Sequence, residues 1–587
     1  MWYNVQEAEL SATAPCPSTY IPNPKEAEDT KMRRFLKSVL IFITVFIALT
    51  GAGAFYFLYQ KYVPTNERAD PSEWFGAVGD RVAIVLNNEL LEDEKGRLID
   101  DEVYLPLKWV NQKLNQRFYW DQEEKLLIYT LPEEIIYADA STLGSSGKPL
   151  FVEQDGELWL LAGLVMNYTD IRMERFTDGD ANRIFVDTTW DSVPQAQLLK
   201  AGKIRVRGGV KSNILTEAAE GERVQVLETM DNWSRIRTET GYLGYIQNRL
   251  LGTQTEHHFV SNFQEPVYTS ISLGEPVCLV WHQVFSQQAN EMMEQLMSSA
   301  KGVNVIAPTW FMLTDNEGSY ECLADSAYVE KAHAMGLQVW AVLDNFNKGE
   351  KVQSEVLFAK TSVRQKLIDS LMKDAAAYQL DGINLDIESI REEAGVHYVQ
   401  FIRELSVSCR KEGIILSVDN TVPAPYSAFY NREEQGKVAD YVIIMAYDEH
   451  HASGEAGSVA SLGYVKKGIE DTLKLVPREK FINGVPFYTR LWREEGGEVS
   501  ATSMGIAAAK SWVQDSGMVL EWDEELGQYY GELQEGSALC RLWMEEEQSL
   551  SRKMDLIWEN HLAGVACWKL GFENPELWDV VRPKEKR

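Results

Sequence analysis

Cysteine and histidine are scarce in this sequence. Its 587 residues include six cysteines and eight histidines. Six cysteines are too few to build a disulfide scaffold in a chain of this length. No two of them have Cys-x-x-Cys spacing, which argues against a thiolate zinc site. We expect neither a metal nor a cofactor. The cysteines are Cys16, Cys278, Cys322, Cys409, Cys540 and Cys567.

Positive charge is also in deficit. The chain has 57 Lys and Arg against 88 Asp and Glu, a formal net charge of −31. Binding a phosphate backbone needs a basic face that releases counterions, so we expect no nucleic-acid partner. Hydrophobic residues make up 45% and charged residues 25% of the chain, an ordinary globular composition that excludes a disordered or fibrous protein. The length leaves room for about three or four domains.

One long apolar run stands near the N-terminus. From Ser38 to Tyr59 there are 22 residues without a charge, enough at about 1.5 Å per residue to cross a bilayer core. Basic residues concentrate on its N-terminal side, which by the positive-inside rule keeps that side in the cytoplasm. We predict a cytoplasmic tail (1–34), a single-pass membrane anchor (35–59) and an extracellular remainder. The alternative is a cleaved signal peptide, whose apolar core is normally shorter, about 7–15 residues.

A stalk (60–80) and a repeated segment (81–192) follow the apolar run. Each copy of the repeat is predicted to form a strand, a helix and two strands. The first copy contains Val-Tyr-Leu-Pro-Leu at 103–107 and Trp-Asp at 120–121. This pattern resembles the copper amine oxidase N-terminal-like domain, a small α+β module. We expect no copper here, because every histidine lies at position 257 or later and no cysteine falls between 16 and 278.

Residues 198–252 contain short alternating segments separated by turn residues, which predicts a small β-barrel. The closing Gly-Tyr-Leu-Gly-Tyr-Ile at 241–246 is similar to that of bacterial SH3-type domains. Such a module either binds wall polymer or serves as a spacer, and the residues favour neither reading.

From residue 275 to 580 apolar strands alternate with amphipathic helices. Eight such units over about 300 residues predict an α/β fold, a (β/α)₈ TIM barrel, with an insertion (493–555) between strands seven and eight. The clearest helices are 363–378 and 397–412. The predicted strands are 277–284, 303–313, 338–346, 382–388, 414–420, 441–447, 481–488 and 564–570.

Polar residues occupy alternate positions of the fourth strand. Asn384, Asp386 and Glu388 alternate with isoleucine and leucine. Side chains two apart in a strand point the same way, so these three face the barrel interior, with Glu388 nearest the mouth. Two close carboxyls do not both ionise cheaply, so one pKa rises, which suits a general acid. An exposed edge strand is the alternative, and the strict apolar alternation argues against it.

The run Asp381 to Glu388 resembles the Asp-x-x-Asp-x-Asp-x-Glu signature of family 18 glycoside hydrolases. Met-Ala-Tyr-Asp at 445–448 and Trp568 support the resemblance. Asn384 stands where chitinases usually have the second aspartate. That departure is similar to the peptidoglycan-directed branch of spore-germination YaaH-like hydrolases, as is Tyr447 to His450.

This resemblance implies a retaining, substrate-assisted cleavage. Glu388 would be the acid and then the base, Asp386 would orient the substrate acetamide, and Tyr447 would donate a hydrogen bond to its carbonyl. Asn384 would hydrogen-bond Asp386 and leave it more readily ionised than in a chitinase. Asp448 would support Tyr447.

Aromatic residues near the strand ends are candidates for a sugar platform. For Trp310, Tyr488 and Trp492, burial in the core is an equally good interpretation. Trp568 matches the position of the family's floor residue in the −1 subsite.

The leading hypothesis is a membrane-anchored extracellular glycosidase that cleaves β-1,4 linkages at N-acetylglucosamine in peptidoglycan. One alternative is a chitinase acting on a chitin-like glycan. The others are a non-catalytic carbohydrate-binding protein and a wall scaffold built on the N-terminal repeat. Glu388, Asp386 and Tyr447 are all present, which favours an enzyme.

Overall fold

The computed structural model describes residues 24–177, 179–346 and 352–583. The first 23 residues of the predicted cytoplasmic tail, and Cys16 with them, lie outside the described residues. The chain divides into two compact units. Unit 1 combines the residues up to Lys95 with Ile171–Ser261, and unit 2 combines Gly96–Asp170 with the residues from Asn262 onward. The domain boundaries predicted above stay predictions.

The apolar run near the N-terminus is helical. The helix Pro24–Tyr62 contains a segment, Lys31–Tyr62, that is long and apolar enough to cross a membrane and has none of its surface buried. A signal sequence near the N-terminus can meet the same criteria of length and apolar composition, so the helix is a candidate span. The short helix Pro71–Phe75 follows, capped by the Asp70 side chain.

Unit 1 contains two groups of strands. Arg81–Leu86 pairs in parallel with Arg183–Asp187, which pairs antiparallel with Arg172–Phe176. Three isoleucines, Ile204, Ile236 and Ile246, are fully buried in the second group. The strands of that group are Val193–Gln197, Gly202–Arg205, Ile214–Ala218, Arg223–Thr229, Trp233–Thr238, Leu243–Gln247 and Thr255–His257, with a 3₁₀ turn at Asn248–Leu250. The strand Glu89–Ile99 runs through the division between the units.

The repeated order of strand, helix, strand and strand is confirmed. The first copy comprises Glu102–Pro106, Leu107–Lys113, Tyr119–Asp121 and Leu126–Thr130. The second comprises Glu157–Leu161, Ala162–Asn167, Arg172–Phe176 and Arg183–Asp187. Two further strands, Ile135–Ala138 and Phe151–Gln154, lie between the copies.

The first copy caps a barrel helix within unit 2. The carboxylate of Asp121 accepts bonds from the Thr361 backbone N–H (2.7 Å) and hydroxyl (2.6 Å). Glu124 accepts from the backbone N–H of Ser362 (3.0 Å). The first N–H groups of a helix have no partner within it, and its N-terminus favours negative charge. The two acidic side chains therefore stabilise the start of Thr361–Tyr378.

Residues 277–568 form a closed parallel barrel of eight strands. Strand one pairs with both strand two and strand eight, which closes the ring. The predicted TIM barrel is confirmed. In order, barrel strands one to eight are Val277–His282, Val305–Leu313, Gln338–Asp344, Gly382–Asp386, Ile415–Thr421, Tyr441–Met445, Phe481–Pro486 and Gly564–Trp568.

Helices cover the outside of the barrel. The two longest, Thr361–Tyr378 and Glu392–Glu412, correspond to the two helices that the sequence predicts most clearly. The others are Gln287–Asn290, Met293–Met297, Ser326–Ala334, Ser354–Leu357, Arg432–Val438, Leu462–Thr472, Glu547–Glu559 and Leu577–Val581, with a 3₁₀ turn at Pro425–Tyr430 and a short strand at Tyr320–Cys322 beside strand two.

The insertion between strands seven and eight begins earlier than residue 493. Strand seven ends at Pro486, and Tyr488, predicted as its last residue, opens an antiparallel sheet. The Phe487 N–H still donates to the Trp568 carbonyl (2.6 Å), after which the chain leaves the barrel. The sheet comprises Tyr488–Glu495, Glu498–Gly505, Glu521–Asp523, Gln528–Glu535 and Ala538–Met544, with the helix Ile506–Ser516.

The barrel strands alternate between an outer and an inner apolar layer. Ile383 and Leu385 belong to the layer shared with the helices, as predicted. Asn384 and Asp386 alternate with them, so both point to the interior, where Trp281, Trp340 and Tyr441 also lie.

Candidate active site

Strand four carries its polar side chains to the carboxyl end of the barrel. Asn384 and Asp386 are 0% and 5% exposed, and Glu388 stands two residues beyond the strand end, half-buried. This is the end at which barrel enzymes assemble their chemistry. The predicted spacing therefore brings Asn384, Asp386 and Glu388 together in one site.

Asn345, which follows strand three, fixes the backbone of Glu388. Its side-chain oxygen accepts from the Glu388 N–H (3.0 Å), and its side-chain amide donates to the Glu388 carbonyl (2.9 Å). Ser389 then adopts a left-handed conformation with φ of 54°. These two hydrogen bonds fix the backbone of Glu388 at the mouth of the barrel.

The pKa of the Glu388 carboxyl is raised. Burial is the largest cause, the charges of Asp448 and Asp344 act in the same direction, and a hydrogen bond with Asp386 lowers it in part. A glutamate whose pKa is raised keeps its proton to higher pH than an exposed one, which suits proton donation.

Asp386 is a buried carboxyl of the site. Its Oδ1 is buried and has no hydrogen-bond partner among the described residues. Burial raises its pKa well above the usual range, and the charges of Asp419, Glu388 and Asp344 raise it further. Asp386 and Glu388 are therefore a coupled pair rather than two independent acids.

The prediction that Asn384 forms a hydrogen bond with Asp386 is wrong. The Asn384 amide donates one N–H to the Ser417 hydroxyl (2.9 Å) and the other to Asp419 Oδ1 (2.7 Å). Its oxygen accepts from the Trp281 indole (3.1 Å). With both N–H groups used, Asn384 has none left to hold Asp386 ionised, and the pKa of Asp386 is raised instead.

Tyr447 follows strand six and reaches the same carboxyls. Its side chain is 8% exposed, and burial together with the nearby Tyr488 and Asp386 raises its pKa, so the hydroxyl stays a donor. A Cβ at Gly484 would lie 3.1 Å from the Tyr447 ring. Glycine at 484 thus leaves room for the tyrosine.

Asp448 adjoins Tyr447 in a left-handed conformation, with φ of 59°. Its Oδ1 accepts from Arg490 Nη2 (2.7 Å) and from the Tyr488 hydroxyl. The Tyr488 ring meets the Tyr447 ring edge to face at 6.2 Å. Asp448 therefore reaches Tyr447 through Tyr488, which is itself buried.

The aromatic platform is smaller than expected. Trp568 is half-buried and packs against the Trp281 ring at 5.8 Å. Trp310 is 0% exposed, with its N–H bonded to Asn290 (2.9 Å), and Trp492 donates to the Gly457 carbonyl (2.9 Å). The expected sugar contact of Trp310 is not supported, because its ring faces the core.

Sequence reasoning missed three polar residues of the site: Asp344, Asn345 and Asp419. Asp344 lies opposite Asp386 in the pairing of strands three and four. Burial raises its pKa to about 6, although it accepts from the Phe346 N–H. The available signal was position, since both aspartates stand near the carboxyl ends of predicted strands.

In the part of the chain that the structure describes, no three His, Cys, Asp or Glu side chains are grouped so that they could hold a metal ion.

A parallel barrel that holds a glutamate of raised pKa beside a second carboxyl is an arrangement suited to acid–base chemistry. Residues 284–573 match the model of glycosyl hydrolases family 18, and residues 200–252 match that of the bacterial SH3 domain. The barrel therefore belongs to glycosyl hydrolases family 18, and the protein is a glycosyl hydrolase that also carries an SH3 domain.

Two curated proteins and one solved structure are similar to parts of this chain. The chain is 28% identical over 298 residues to the uncharacterized glycosylase YvbX of Bacillus subtilis, covering 48% of this chain and 85% of that protein. It is 24% identical over 232 residues to the cortical fragment-lytic enzyme of B. subtilis, covering 38% and 54%. The crystal structure of the Bacillus cereus spore cortex-lytic enzyme SleL has a TM-score of 0.48 and 20% identity, covering 56% of this chain and 76% of that one.

Proposed function

We propose that the protein cleaves β-1,4 linkages next to N-acetylglucosamine in peptidoglycan, with retention and with assistance from the substrate. The observation that carries this proposal is the pairing of Glu388 with Asp386. A glutamate with a raised pKa stands beside an aspartate whose buried Oδ1 lacks a partner among the described residues. Cleavage next to an acetamido sugar requires a proton donor for the leaving oxygen and a hydrogen-bond acceptor for the acetamide N–H.

The reaction begins with proton transfer from Glu388 to the leaving glycosidic oxygen. The acetamide carbonyl oxygen of the sugar attacks the anomeric carbon as that bond breaks, forming an oxazolinium ion. Asp386 accepts the acetamide N–H and, when ionised, balances the positive ring. The Tyr447 hydroxyl donates to the carbonyl oxygen and aims it. Water then opens the ring, and Glu388 takes its proton as general base.

Peptidoglycan is favoured over chitin by the other parts of the chain. The SH3 domain stands beside the barrel in the sequence, and one relative is named a cortical fragment-lytic enzyme.

The half-buried Trp568 is the aromatic surface at the site on which a sugar face would stack.

We also propose that Lys31–Tyr62 is an uncleaved anchor that displays the remaining chain outside the cell membrane. In cell fractionation, full-length protein should stay with the membranes and be released by detergent. A shortened soluble product would contradict the anchor.

The test of the activity is mass spectrometry of purified peptidoglycan digested by the full chain in detergent. Wild type should release fragments ending in reducing N-acetylglucosamine, and Glu388→Gln should lose activity by about 10²–10⁴-fold while remaining folded. Glu393→Gln, an exposed glutamate on the next helix, is the matched control and should cleave like wild type.

More than about one per cent residual activity in Glu388→Gln would overturn the acid assignment. Products from chitin oligomers but not from peptidoglycan would overturn the substrate. The absence of products from both substrates would contradict the hydrolase activity and favour a carbohydrate-binding protein.

A further inference from the structure

The chain that follows the apolar helix is bonded to the SH3 domain, and both belong to unit 1. The helix ends at Tyr62, and three residues later the Thr65 N–H donates to the Val210 carbonyl (2.8 Å). The Ile214 N–H then donates to the Glu67 carbonyl (2.8 Å). The connection between the end of the helix and the first bond to the domain is therefore very short.

Side chains of the SH3 domain bind the same connecting segment. Arg205 is 3% exposed, and its guanidinium donates to the Thr65 carbonyl (3.1 Å) and to the Ser212 carbonyl. Lys203 Nζ donates to the side-chain oxygen of Asn66 (2.7 Å). These bonds reinforce the backbone bonds and hold the connecting segment against the domain.

The short connection limits the distance between the loop 206–213 and the end of the helix. Extended chain spans at most about 3.6 Å per residue, so the Thr65 backbone lies within about 11 Å of Tyr62. Val210 of the loop is one hydrogen bond further away. The headgroup layer adds roughly 5–8 Å to each side of the hydrocarbon core of a bilayer. With Lys31–Tyr62 across a membrane, the loop therefore lies at the headgroup layer or just outside it.

One contact brings the loop closer than this limit requires. The Lys211 ammonium lies over the Tyr59 ring, 5.1 Å from its centroid. An ammonium in this position is attracted by the negative face of the ring. Tyr59 is the last residue of the uncharged run, so the Lys211 ammonium lies level with the outer end of the apolar segment.

The segments that meet here are basic, although the chain as a whole is acidic. Residues 59–69 and 203–214 together contain six Lys or Arg and one Glu, in a chain whose formal net charge is −31. Lys61, Arg207 and Lys211 are exposed, and none of them forms an ion pair with the residues that the structure describes. This basic edge suits an anionic surface, which would repel the acidic chain as a whole.

We propose that the loop 206–213 binds the anionic phospholipid headgroups of the membrane that Lys31–Tyr62 crosses. Arg207 and Lys211 contact lipid phosphates from the SH3 domain, and Lys61 contacts them from the end of the helix. The inference rests on the proposed anchor, because cleavage of the helix would leave the domain without a membrane. It does not depend on the hydrolase activity.

The anchor makes these few cations sufficient. Two or three cations bind a membrane only weakly when a protein is free in solution. Because the helix holds the loop at the surface, the contact becomes intramolecular, with an effective concentration in the millimolar range. Salt screens charges beyond about 8–10 Å, so acidic groups farther from the surface contribute little repulsion.

Hydrogen exchange of the full chain in lipid nanodiscs tests the contact. The discs consist of phosphatidylcholine alone or of phosphatidylcholine and phosphatidylglycerol in equal parts, and mass spectrometry follows the peptides that cover 206–213. Exchange of these backbone amides should be at least about fivefold slower in the anionic discs, the ratio expected for one cation at the surface. The turn 219–222, at the other end of the strand Ile214–Ala218, should exchange equally in both kinds of disc.

Two lysine variants distinguish lipid binding from a structural role. Lys211→Gln removes a cation of the loop and should lower the ratio between the two kinds of disc by about fivefold. Lys200→Gln is the matched control and should leave the ratio unchanged, because this exposed lysine precedes the strand Gly202–Arg205 at the end away from the loop. Loss of the Tyr59 contact alone would change exchange equally in both kinds of disc.

The outcomes separate the docking from the anchor and from the hydrolase. Equal exchange in the two kinds of disc, with the chain incorporated, would overturn the docking and leave the anchor intact. Failure of the chain to incorporate would overturn both. Equal slowing in neutral discs on addition of inorganic phosphate would overturn the lipid surface in favour of a free phosphate ligand. A lipid-dependent difference in a chain that cleaves neither glycan would uphold the docking while the proposed hydrolase activity fails.

Discussion

The interior of the barrel and its helix layer both bury charged side chains, but they neutralise them differently. In the helix layer Arg364 donates to both oxygens of Glu404 (2.9 Å each), and both side chains are fully buried. In the interior Asp386 and Asp419 have no cation among the described residues. A guanidinium partner favours the ionised form of a carboxyl, whereas burial beside other carboxyls favours the protonated form.

The two regions therefore respond to pH in opposite directions. Burial alone would raise the pKa of Glu434, but the charges of Arg403 and Arg117 outweigh it and hold that pKa below its usual value. Its contribution to stability is lost as pH falls through the folded pKa. The pKa of Asp344 is raised by burial to about 6, so its contribution is lost as pH rises toward 6.

The largest expected effect is in the helix layer. Arg364→Met leaves Glu404 as an unpaired buried charge and should lower the free energy of unfolding by about 3–5 kcal/mol. Urea unfolding of the full chain, followed by the transition of the barrel, would measure it. Lys437→Met breaks an exposed i,i+4 pair with Glu433 and should cost only about 0.3–0.5 kcal/mol. Equal decreases in the free energy of unfolding in both variants would contradict the expected difference between the buried and the exposed pair.

A smaller effect of opposite sign is expected inside the barrel. Asp344→Asn removes a carboxyl whose pKa is about 6 when folded and 3.8 in the reference state. At pH 7 it should raise the free energy of unfolding by up to about 3 kcal/mol, and below pH about 4 the gain should vanish. Urea unfolding at the two pH values would measure both. A gain of the same size at pH 4 would show that ionisation is not its cause.

The strands of the barrel were predictable because their signal is local. The alternation of apolar residues predicted the positions of all eight strands. Some predicted ends differ from the observed ends by a few residues, where polar residues follow the last paired residue of the strand. Strand four was predicted to reach Glu388 and ends at Asp386. Glu388 and Asp386 were found in the same way, since charged residues at alternate positions of an apolar strand are conspicuous.

What could not be predicted depends on contacts between strands. Asp344 and Asp419 resemble turn residues at strand ends, and only the register with strand four brings them to Asp386. The partners of Asn384 lie on strands one and five, which local spacing does not reveal. Trp310, Tyr488 and Trp492 each fit a platform or the core from sequence, and only the structure shows that all three are buried.

The cap that Asp121 provides for the helix Thr361–Tyr378 has a consequence for synthesis. Asp121 and Thr361 are 240 residues apart in the chain. At a ribosomal rate of about 5–20 residues per second, about 12–50 seconds pass between the synthesis of Asp121 and the synthesis of the helix that it caps. During that interval Tyr119, Asp121 and Glu124 lack the barrel residues with which they form hydrogen bonds in the folded chain. The time before docking is therefore the period in which this segment is most exposed to chaperones and proteases.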